Sequence, residues 1–269
     1  MSLSLIFYLS GVYRELPLAI RRQRQIFIRA RRQWGAEVYV TQVSAAEDTE
    51  VRGEQLARQV EEILATTGAG KVNLIGHSHG GPTARYVASV YPQMVASVSS
   101  VGGVNWGARM ADVLQGLSDN VPFSGDLIAY LGNALAGLID LFSGGGNQQD
   151  IMAALKALTT EETIAFNQRY PEGMPGEYCG EGQRQGSNGV SYFSWSGAKP
   201  LTNGFDPSDA LLGATSIVFL GEKNDGLVSS CSSHPGMVIR DDYRTVSYTN
   251  LTRPKKREGK STRSTTRRR

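Results

Sequence analysis

The sequence predicts an α/β fold, in which helices cover a mostly parallel sheet, because strand-like and helix-like segments alternate along its middle. Residues 37–43 are rich in β-branched and aromatic side chains, which is typical of a strand. Leu56, Val60 and Ile63 then recur at helical spacing, and Gly68 closes that pattern. Residues 72–75 form a short apolar run bounded by glycine, as expected for a buried parallel strand.

The alternation continues with a helical pattern over residues 83–90 and a strand over residues 95–101. Strands joined by helices in this order predict a parallel sheet with right-handed crossovers and helices on both faces. Residues 189–195 and 215–220 are predicted as two further strands, the second leading into the loop that holds Asp225. A chain of 269 residues is long enough for one large core, so we expect a single domain over residues 1–243.

Residues 108–156 have a different character. Leu127, Leu131 and Leu135 line a helix that also carries small residues, and three glycines follow at 144–146. We expect this segment to move relative to the sheet.

The basic residues are concentrated in two stretches. Residues 14–32 and 244–269 hold 17 of the 28 lysines and arginines with two acids, which leaves 11 basic against 23 acidic residues elsewhere. Such stretches are typical of tails that bind nucleic acid or anionic membrane, although we expect no nucleic-acid partner. We predict a disordered basic tail over 244–269.

The chain contains no run of about 18 apolar residues, so no transmembrane helix is expected. The apolar start lacks the flanks of a signal peptide.

A G-x-S-x-G motif places Ser78 between Gly76 and Gly80. In a glycine-rich chain the pattern alone is weak, and a turn without chemistry is the alternative. Its position is stronger evidence, because a buried strand ends just before it and a helix begins just after it, as a nucleophile elbow requires.

A serine nucleophile needs a base and an acid that orients the base. Asp225, in a later loop, fits the acid, although a turn-forming aspartate is the alternative. The chain has three histidines. His77 and His79 flank the serine, which suits supporting or oxyanion roles better, so His234 remains as the candidate base.

Several segments, in the same order along the chain, resemble the Pseudomonas-type bacterial triacylglycerol lipases. They are VRGEQL at 51–56, VNLIGHSHGGPT at 72–83, NGVSY at 188–192, WSG at 195–197, DPSD at 206–209, NDGLV at 224–228, CSSH at 231–234 and MVIRD at 237–241. The similarity runs from about residue 35 to residue 244.

This resemblance implies an α/β-hydrolase fold with a helical lid near residues 108–156, and Ser78 and Asp225 as nucleophile and acid. It also implies that His79 contributes its backbone N–H to the oxyanion hole and that Asp206 binds a structural Ca²⁺. The residues alone leave open whether the cysteines are bridged, but the resemblance implies a disulfide between Cys179 and Cys231. The resemblance further implies that the enzyme is secreted, acts on lipid or ester substrates and has a dedicated folding chaperone.

Two departures accompany the resemblance. Ser247 stands where the family has its catalytic histidine, and Thr249 stands where it has a second calcium-binding aspartate. Near the start, Ser10-Gly11-Val12 replaces His-Gly-Met, although the Val12 backbone N–H would still serve as an oxyanion donor. Both departures lie in or beside the arginine-rich stretches, so a shifted reading frame is our hypothesis and a genuine basic tail is the alternative.

The sequence therefore predicts a carboxylic ester hydrolase, a triacylglycerol lipase that works at lipid–water interfaces through a serine acyl-enzyme. A short-chain esterase and a catalytically impaired hydrolase-fold binding protein are the alternatives. The disulfide implied at Cys231 would leave His234 little freedom to reach Ser78.

Overall fold

The computed structural model describes residues 4–8, 37–44, 47–116, 155–200 and 215–243, together with the single positions 129, 133 and 213. Its helices and strands are, in chain order, β1 (Ser4–Tyr8), β2 (Glu37–Thr41), α1 (Thr49–Thr67), β3 (Val72–His77), α2 (Gly80–Val90), β4 (Val95–Val101), α3 (Arg109–Leu114), α4 (Thr160–Arg169), β5 (Ser191–Gly197) and β6 (Met237–Tyr243), with 3-10 helices at Ser216–Phe219 and Cys231–Ser233.

The six strands form one parallel sheet in the order β2-β1-β3-β4-β5-β6. Its parallel architecture confirms the predicted fold class. The paired rows run across the whole sheet, so Leu74 of β3 lies beside Val98 of β4, which lies beside Tyr192 of β5. All carboxyl ends therefore meet at one edge, where the loops after the strands converge.

The main core lies on one face of this sheet. Leu74, Val98 and Tyr192 are buried there against Leu56 of α1 and Val87 of α2. Phe166 of α4 belongs to the same apolar cluster. Side chains alternate along a strand, so the neighbouring residues on β3, Asn73, Ile75 and His77, lie on the opposite face and are only half-buried.

Helix α1 is capped at both ends, at the carboxyl end by the glycine that the sequence predicted. The Asp48 carboxylate accepts a hydrogen bond from the Val51 N–H, and Gly68 ends the helix with φ of 69°. Helix α4 was not foreseen from the sequence. Its own signal is Thr159, whose side chain accepts from the Glu162 N–H and caps the first turn.

The predicted strand over residues 215–220 is wrong. This segment contains a 3-10 helix at Ser216–Phe219, while β6, which composition did not single out, completes the sheet by pairing directly with β5. Val218 and Phe219 are buried. These side chains are buried by packing, although the segment does not pair as a strand. A short apolar run in a sequence does not distinguish the two arrangements.

Several sequence-based expectations lie outside the described residues. These are most of the lid segment, Val12, Asp206 and the basic tail at 244–269. Within the part of the chain that is described, no helix is long and apolar enough to cross a membrane.

Candidate active site

Ser78 occupies a sharp turn between β3 and α2. Its φ is 54°, in the left-handed region that residues other than glycine rarely adopt. The turn is tight because Gly76 and Gly80 approach each other: a Cβ built on Gly76 would overlap the Gly80 carbonyl and stand 2.8 Å from the Gly81 nitrogen. The strand, strained serine and helix together form the nucleophile-elbow geometry that the motif predicted.

The topology of the sheet places this turn at a branching point. The chain passes from β1 to β2 on one side, whereas β3 lies on the other side of β1. Connections that leave β1 and β3 therefore diverge, and a crevice opens at the carboxyl ends between them. Open parallel sheets bind their ligands in such a crevice, and Ser78, half-buried at the end of β3, lies at its edge.

His79 follows the serine and precedes the first turn of α2. Its backbone N–H has no acceptor among the residues that the structure describes. Its buried imidazole is held instead, since Nε2 lies 2.9 Å from Thr49 Oγ1. Burial, reinforced by the nearby Arg52 guanidinium, holds the pKa of His79 well below 6.5. The ring is therefore neutral near pH 7.

Arg52 and Thr83 brace this histidine from the helix side. The Thr83 hydroxyl donates to the His79 carbonyl at 2.8 Å, and Arg52 Nε donates to Thr83 Oγ1 at 3.5 Å. Arg52 also donates to the Ser44 carbonyl at 2.6 Å and is almost completely buried. Arg52 belongs to the VRGEQL segment that resembles the lipase family, but the resemblance implied no role for it. No sequence signal predicted its contact with Thr83.

Asp225 is a buried carboxylate in the loop after the Ser216–Phe219 helix. Its Oδ1 accepts hydrogen bonds from the N–H groups of Leu227 and Val228, at 3.1 and 2.9 Å. Asn224 Oδ1 accepts from the Gly226 N–H and tightens the same turn. The Asp225 side chain thus stabilises the turn in which it lies, and these hydrogen bonds fix the position of its carboxylate.

The Asp225 carboxylate acts electrostatically on His77, the residue before Ser78. Burial lowers the pKa of the His77 imidazole from 6.5, and the Asp225 carboxylate opposes that shift. Neither His77 ring nitrogen has a hydrogen-bond partner within the described ranges. His77 as a whole residue is half-buried.

His234 points into a different environment. Its Nδ1 lies 3.2 Å from the Gly180 carbonyl, and its Nε2 lies 3.5 Å from Asp241 Oδ2. Both ring nitrogens therefore face groups other than Ser78 and Asp225. Cys231 forms the disulfide with Cys179 that the resemblance implied, and this bond ties the segment before His234 to residue 179.

The disulfide segment is also joined to the loop after β4. The Ser232 carbonyl accepts from the Asn105 N–H at 3.0 Å. The Ser232 hydroxyl accepts from the Trp106 N–H at 3.2 Å and donates to the Gly107 carbonyl at 2.6 Å. We call these three contacts the Ser232 clamp. It connects the loop that carries Asp225 to the loop at the carboxyl end of β4, and no sequence motif predicted it.

No cluster of three or more potential metal ligands occurs within the described ranges. Val12 and Asp206 fall beyond them, so the predicted second oxyanion donor and the predicted calcium ligand stay predictions. Ser78 and His79 directly follow β3 at the carboxyl edge of the sheet, and the Asp225 carboxylate acts electrostatically on His77, the last residue of that strand.

Comparison with known proteins adds independent findings. A family model described as the alpha/beta hydrolase fold matches residues 29–197. The chain is 58% identical over 211 residues to a triacylglycerol lipase of Vibrio cholerae serotype O1, covering 78% of this chain and 67% of that protein. It is 41% identical over 219 residues to a triacylglycerol lipase of Pseudomonas fragi, covering 78% and 74%.

The fold is also similar to a solved structure, the mature form of the Bacillus licheniformis lipase BlEst2. The two superpose with a TM-score of 0.63 at 17% identity, covering 92% of this chain and 86% of that one. At that identity the similarity concerns the fold alone.

Proposed function

This chain belongs to the α/β-hydrolase family of bacterial triacylglycerol lipases and is an ester hydrolase, and from that membership we propose that Ser78 is its nucleophile. The observation that carries the assignment is the positive φ of Ser78 at the carboxyl edge of the sheet. Such a conformation costs about 1–3 kcal/mol in a residue other than glycine, and strain of this kind is concentrated at functional sites.

The proposed reaction is acyl transfer through the serine. Ser78 Oγ attacks the ester carbonyl carbon while its proton passes to a base. The tetrahedral intermediate then collapses, the alcohol leaves with that proton, and an acyl-enzyme remains on Ser78. Water repeats the attack and releases the carboxylic acid.

The His79 backbone N–H is the proposed oxyanion donor. It lacks an acceptor among the described residues and lies at the amino end of α2, where unpaired N–H groups and the helix dipole favour negative charge. The Val12 N–H is the proposed second donor. Removing one such donor costs about 100- to 1,000-fold in turnover.

Triacylglycerol at a lipid–water interface is the proposed substrate, after the names of the relatives. Secretion is proposed because the Cys179–Cys231 disulfide suits an oxidising compartment. A dedicated folding chaperone rests on the family resemblance alone.

Calcium is proposed as a structural ligand at Asp206 on the same resemblance. The fit is poor, because Thr249 offers a neutral hydroxyl where the family pattern has a second carboxylate, and Ca²⁺ sites gain affinity from charged oxygen ligands. We therefore derive no catalytic step from calcium.

A hydrolase-fold binding protein without turnover is the second candidate. The observation in its favour is the placement of two of the three histidines. The His79 ring is buried against Thr49, and the His234 ring faces Gly180 and Asp241. Neither contacts Ser78.

Intact-mass measurement after treatment with a fluorophosphonate ester separates the two candidates. We expect the full chain to gain one phosphonyl group, Ser78→Ala to gain none, and the unmodified chain to hydrolyse a p-nitrophenyl ester. A chain that neither labels nor turns over would be the binding protein.

Acyl-chain length then distinguishes a lipase from a short-chain esterase. The lipase proposal expects hydrolysis of an emulsified long-chain triacylglycerol to rise sharply once the substrate exceeds its solubility. Hydrolysis of soluble short-chain esters alone would favour the esterase.

A further inference from the structure

We propose that Asn167 of α4 is a positioning residue for the reaction. It holds the loop after β4, which contacts both the nucleophile elbow and the loop that carries Asp225. The inference rests on the proposed function, since it takes Ser78 as the nucleophile and Asp225 as the acid. It assigns a role to α4, the helix that was not foreseen from the sequence.

The loop after β4 contacts the nucleophile elbow through the backbone. The Ser78 N–H donates to the Val101 carbonyl at 3.2 Å, and the Ser78 carbonyl accepts from the Val104 N–H at 3.3 Å. Val101 is the last residue of β4, and Val104 is almost completely buried. One short segment therefore holds both backbone polar groups of the strained serine.

The next residue of that loop contacts the loop that carries Asp225. The Asn105 N–H donates to the Ser232 carbonyl at 3.0 Å, which is one contact of the Ser232 clamp. Two consecutive N–H groups, those of Val104 and Asn105, thus bind the elbow and the clamp. A shift of these two residues moves the elbow relative to the loop that carries Asp225.

Asn105 is fully buried, and its side chain lies beside the first turn of α2. Its Nδ2 donates to the Ser100 hydroxyl at 3.0 Å, and a Cβ built on Gly81 would stand 3.5 Å from that Nδ2. A backbone carbonyl in a buried residue needs a hydrogen-bond donor. Asn167 supplies it, because its Nδ2 donates to the Asn105 carbonyl at 2.7 Å.

Asn167 is itself held by a buried cation. Its Oδ1 accepts from the Arg85 guanidinium at 2.9 Å, so its two partners determine which way the amide points. The same guanidinium donates to the Tyr170 carbonyl at 2.7 Å and to the Glu172 carbonyl at 3.3 Å. Arg85 belongs to α2, the helix that follows the elbow. Asn167 therefore joins α2 to the loop after β4.

Replacing Asn167 by aspartate separates its two contacts. The introduced carboxylate still accepts from Arg85, and a charged acceptor binds a guanidinium more strongly than a neutral one does. It has no N–H to donate to the Asn105 carbonyl, and two oxygens at that distance repel each other. We expect residues 104 and 105 to shift while the contact with α2 remains.

Asn188→Asp is the matched control. Asn188 and Asn167 are both half-buried. Asn188 Nδ2 likewise donates to a backbone carbonyl, that of Ala88, at 2.9 Å, and its Oδ1 accepts from the Val190 N–H at 3.1 Å. Ala88 lies near the carboxyl end of α2, away from the elbow. The control therefore makes the same chemical change without touching the loop after β4.

The first readouts are the rate of fluorophosphonate labelling of Ser78 and the kinetics of p-nitrophenyl ester hydrolysis. Misplacement on the order of 1 Å costs about 100-fold in rate, so Asn167→Asp should lose at least about tenfold in labelling rate and in kcat. Its KM should stay close to the parent value, since the shift affects the reacting groups rather than the acyl chain. Asn188→Asp should keep the parent rates.

Two structural readouts accompany the kinetics. The Tm of Asn167→Asp should be no lower than that of Asn188→Asp, because only the former gains a charged partner for an arginine. Amide hydrogen exchange at Val104 and Asn105 should be faster in Asn167→Asp than in the parent and unchanged in Asn188→Asp.

Labelling of Asn167→Asp at the parent rate would overturn the inference while leaving Ser78 as nucleophile. A lost rate with unchanged exchange at residues 104 and 105 would also overturn it, because the loop would not have moved. An equal loss of rate in Asn188→Asp would assign the effect to general destabilisation and overturn the inference as well. A parent chain that neither labels nor turns over would overturn both the inference and the proposed function.

Discussion

Replacing Gly76 by alanine tests the elbow through a clash that the structure defines. The added Cβ would overlap the Gly80 carbonyl and stand 2.8 Å from the Gly81 nitrogen, whereas ordinary contact begins at 3.4 Å. The first turn of α2 must therefore retreat by more than 0.6 Å, the difference between those two distances. Because the obstacle is backbone, no side-chain rotation relieves it.

The expected cost follows from that displacement. Overpacking a tight site destabilises by about 1–3 kcal/mol, which lowers the Tm of a domain of this size by roughly 2–12 °C. The retreat also moves the His79 N–H away from the developing oxyanion. Misplacement on the order of 1 Å costs about 100-fold in rate, so the labelling rate of Ser78 should fall by about that factor.

Thermal unfolding and fluorophosphonate labelling measure the two effects. Gly70→Ala is the matched control, because a Cβ there meets nothing within 4 Å and the residue has no positive φ. Its Tm and labelling rate should equal those of the parent. A Gly76→Ala chain that keeps both the parent Tm and the parent rate would show that Gly76 and Gly80 do not approach closely in the protein, and would refute the strained elbow on which the assignment of Ser78 rests.

Two further predictions concern stability. Replacing Cys179 and Cys231 together by serine opens a loop closed over 52 residues, and the chain-entropy model assigns about 4 kcal/mol to that closure. Urea unfolding should show a loss of that order, and an unchanged unfolding free energy would contradict the model. His77 and His79 both have a pKa lowered by burial, so the unfolded chain binds protons more readily. The stability of the folded chain with neutral histidines is fully present above about pH 6.5. As the pH falls below that value, the free energy of unfolding decreases by up to about 1.4 kcal/mol per pH unit for each histidine. His79→Gln should show a shallower dependence between pH 7 and pH 5, and a slope equal to that of the parent would refute the assignment.

The regular elements of the fold were predictable because their signals are local. β4 was predicted with its observed bounds from its own residues, and α1 was located by its apolar spacing and by Gly68. The segment 215–220 failed for the converse reason. Val218 and Phe219 are apolar in either a strand or a 3-10 helix, and only the direct pairing of β5 with β6 decides between them.

The candidate site divides in the same way. Ser78 was predictable because the elbow is a contiguous motif, and the Cys179–Cys231 pairing followed from family resemblance. The contact between His79 and Thr49 joins residues 30 positions apart, and the electrostatic effect of Asp225 on His77 joins a late loop to the end of β3. Neither leaves a pattern in the sequence, because the residues meet only after the sheet has formed.

The Ser232 clamp means that the carboxylate loop has a stability of its own. Besides the clamp and the disulfide, hydrogen bonds from the Ser230 hydroxyl to the Gly197 and Asp241 carbonyls attach the loop, and its residues are not among the strands that carry the main core. Segments with few buried apolar contacts open at a lower free energy than the sheet. Amide hydrogen exchange over residues 222–234 would then be faster than in β3 and β4. Catalytic competence would accordingly disappear at a lower denaturant concentration than the secondary structure does.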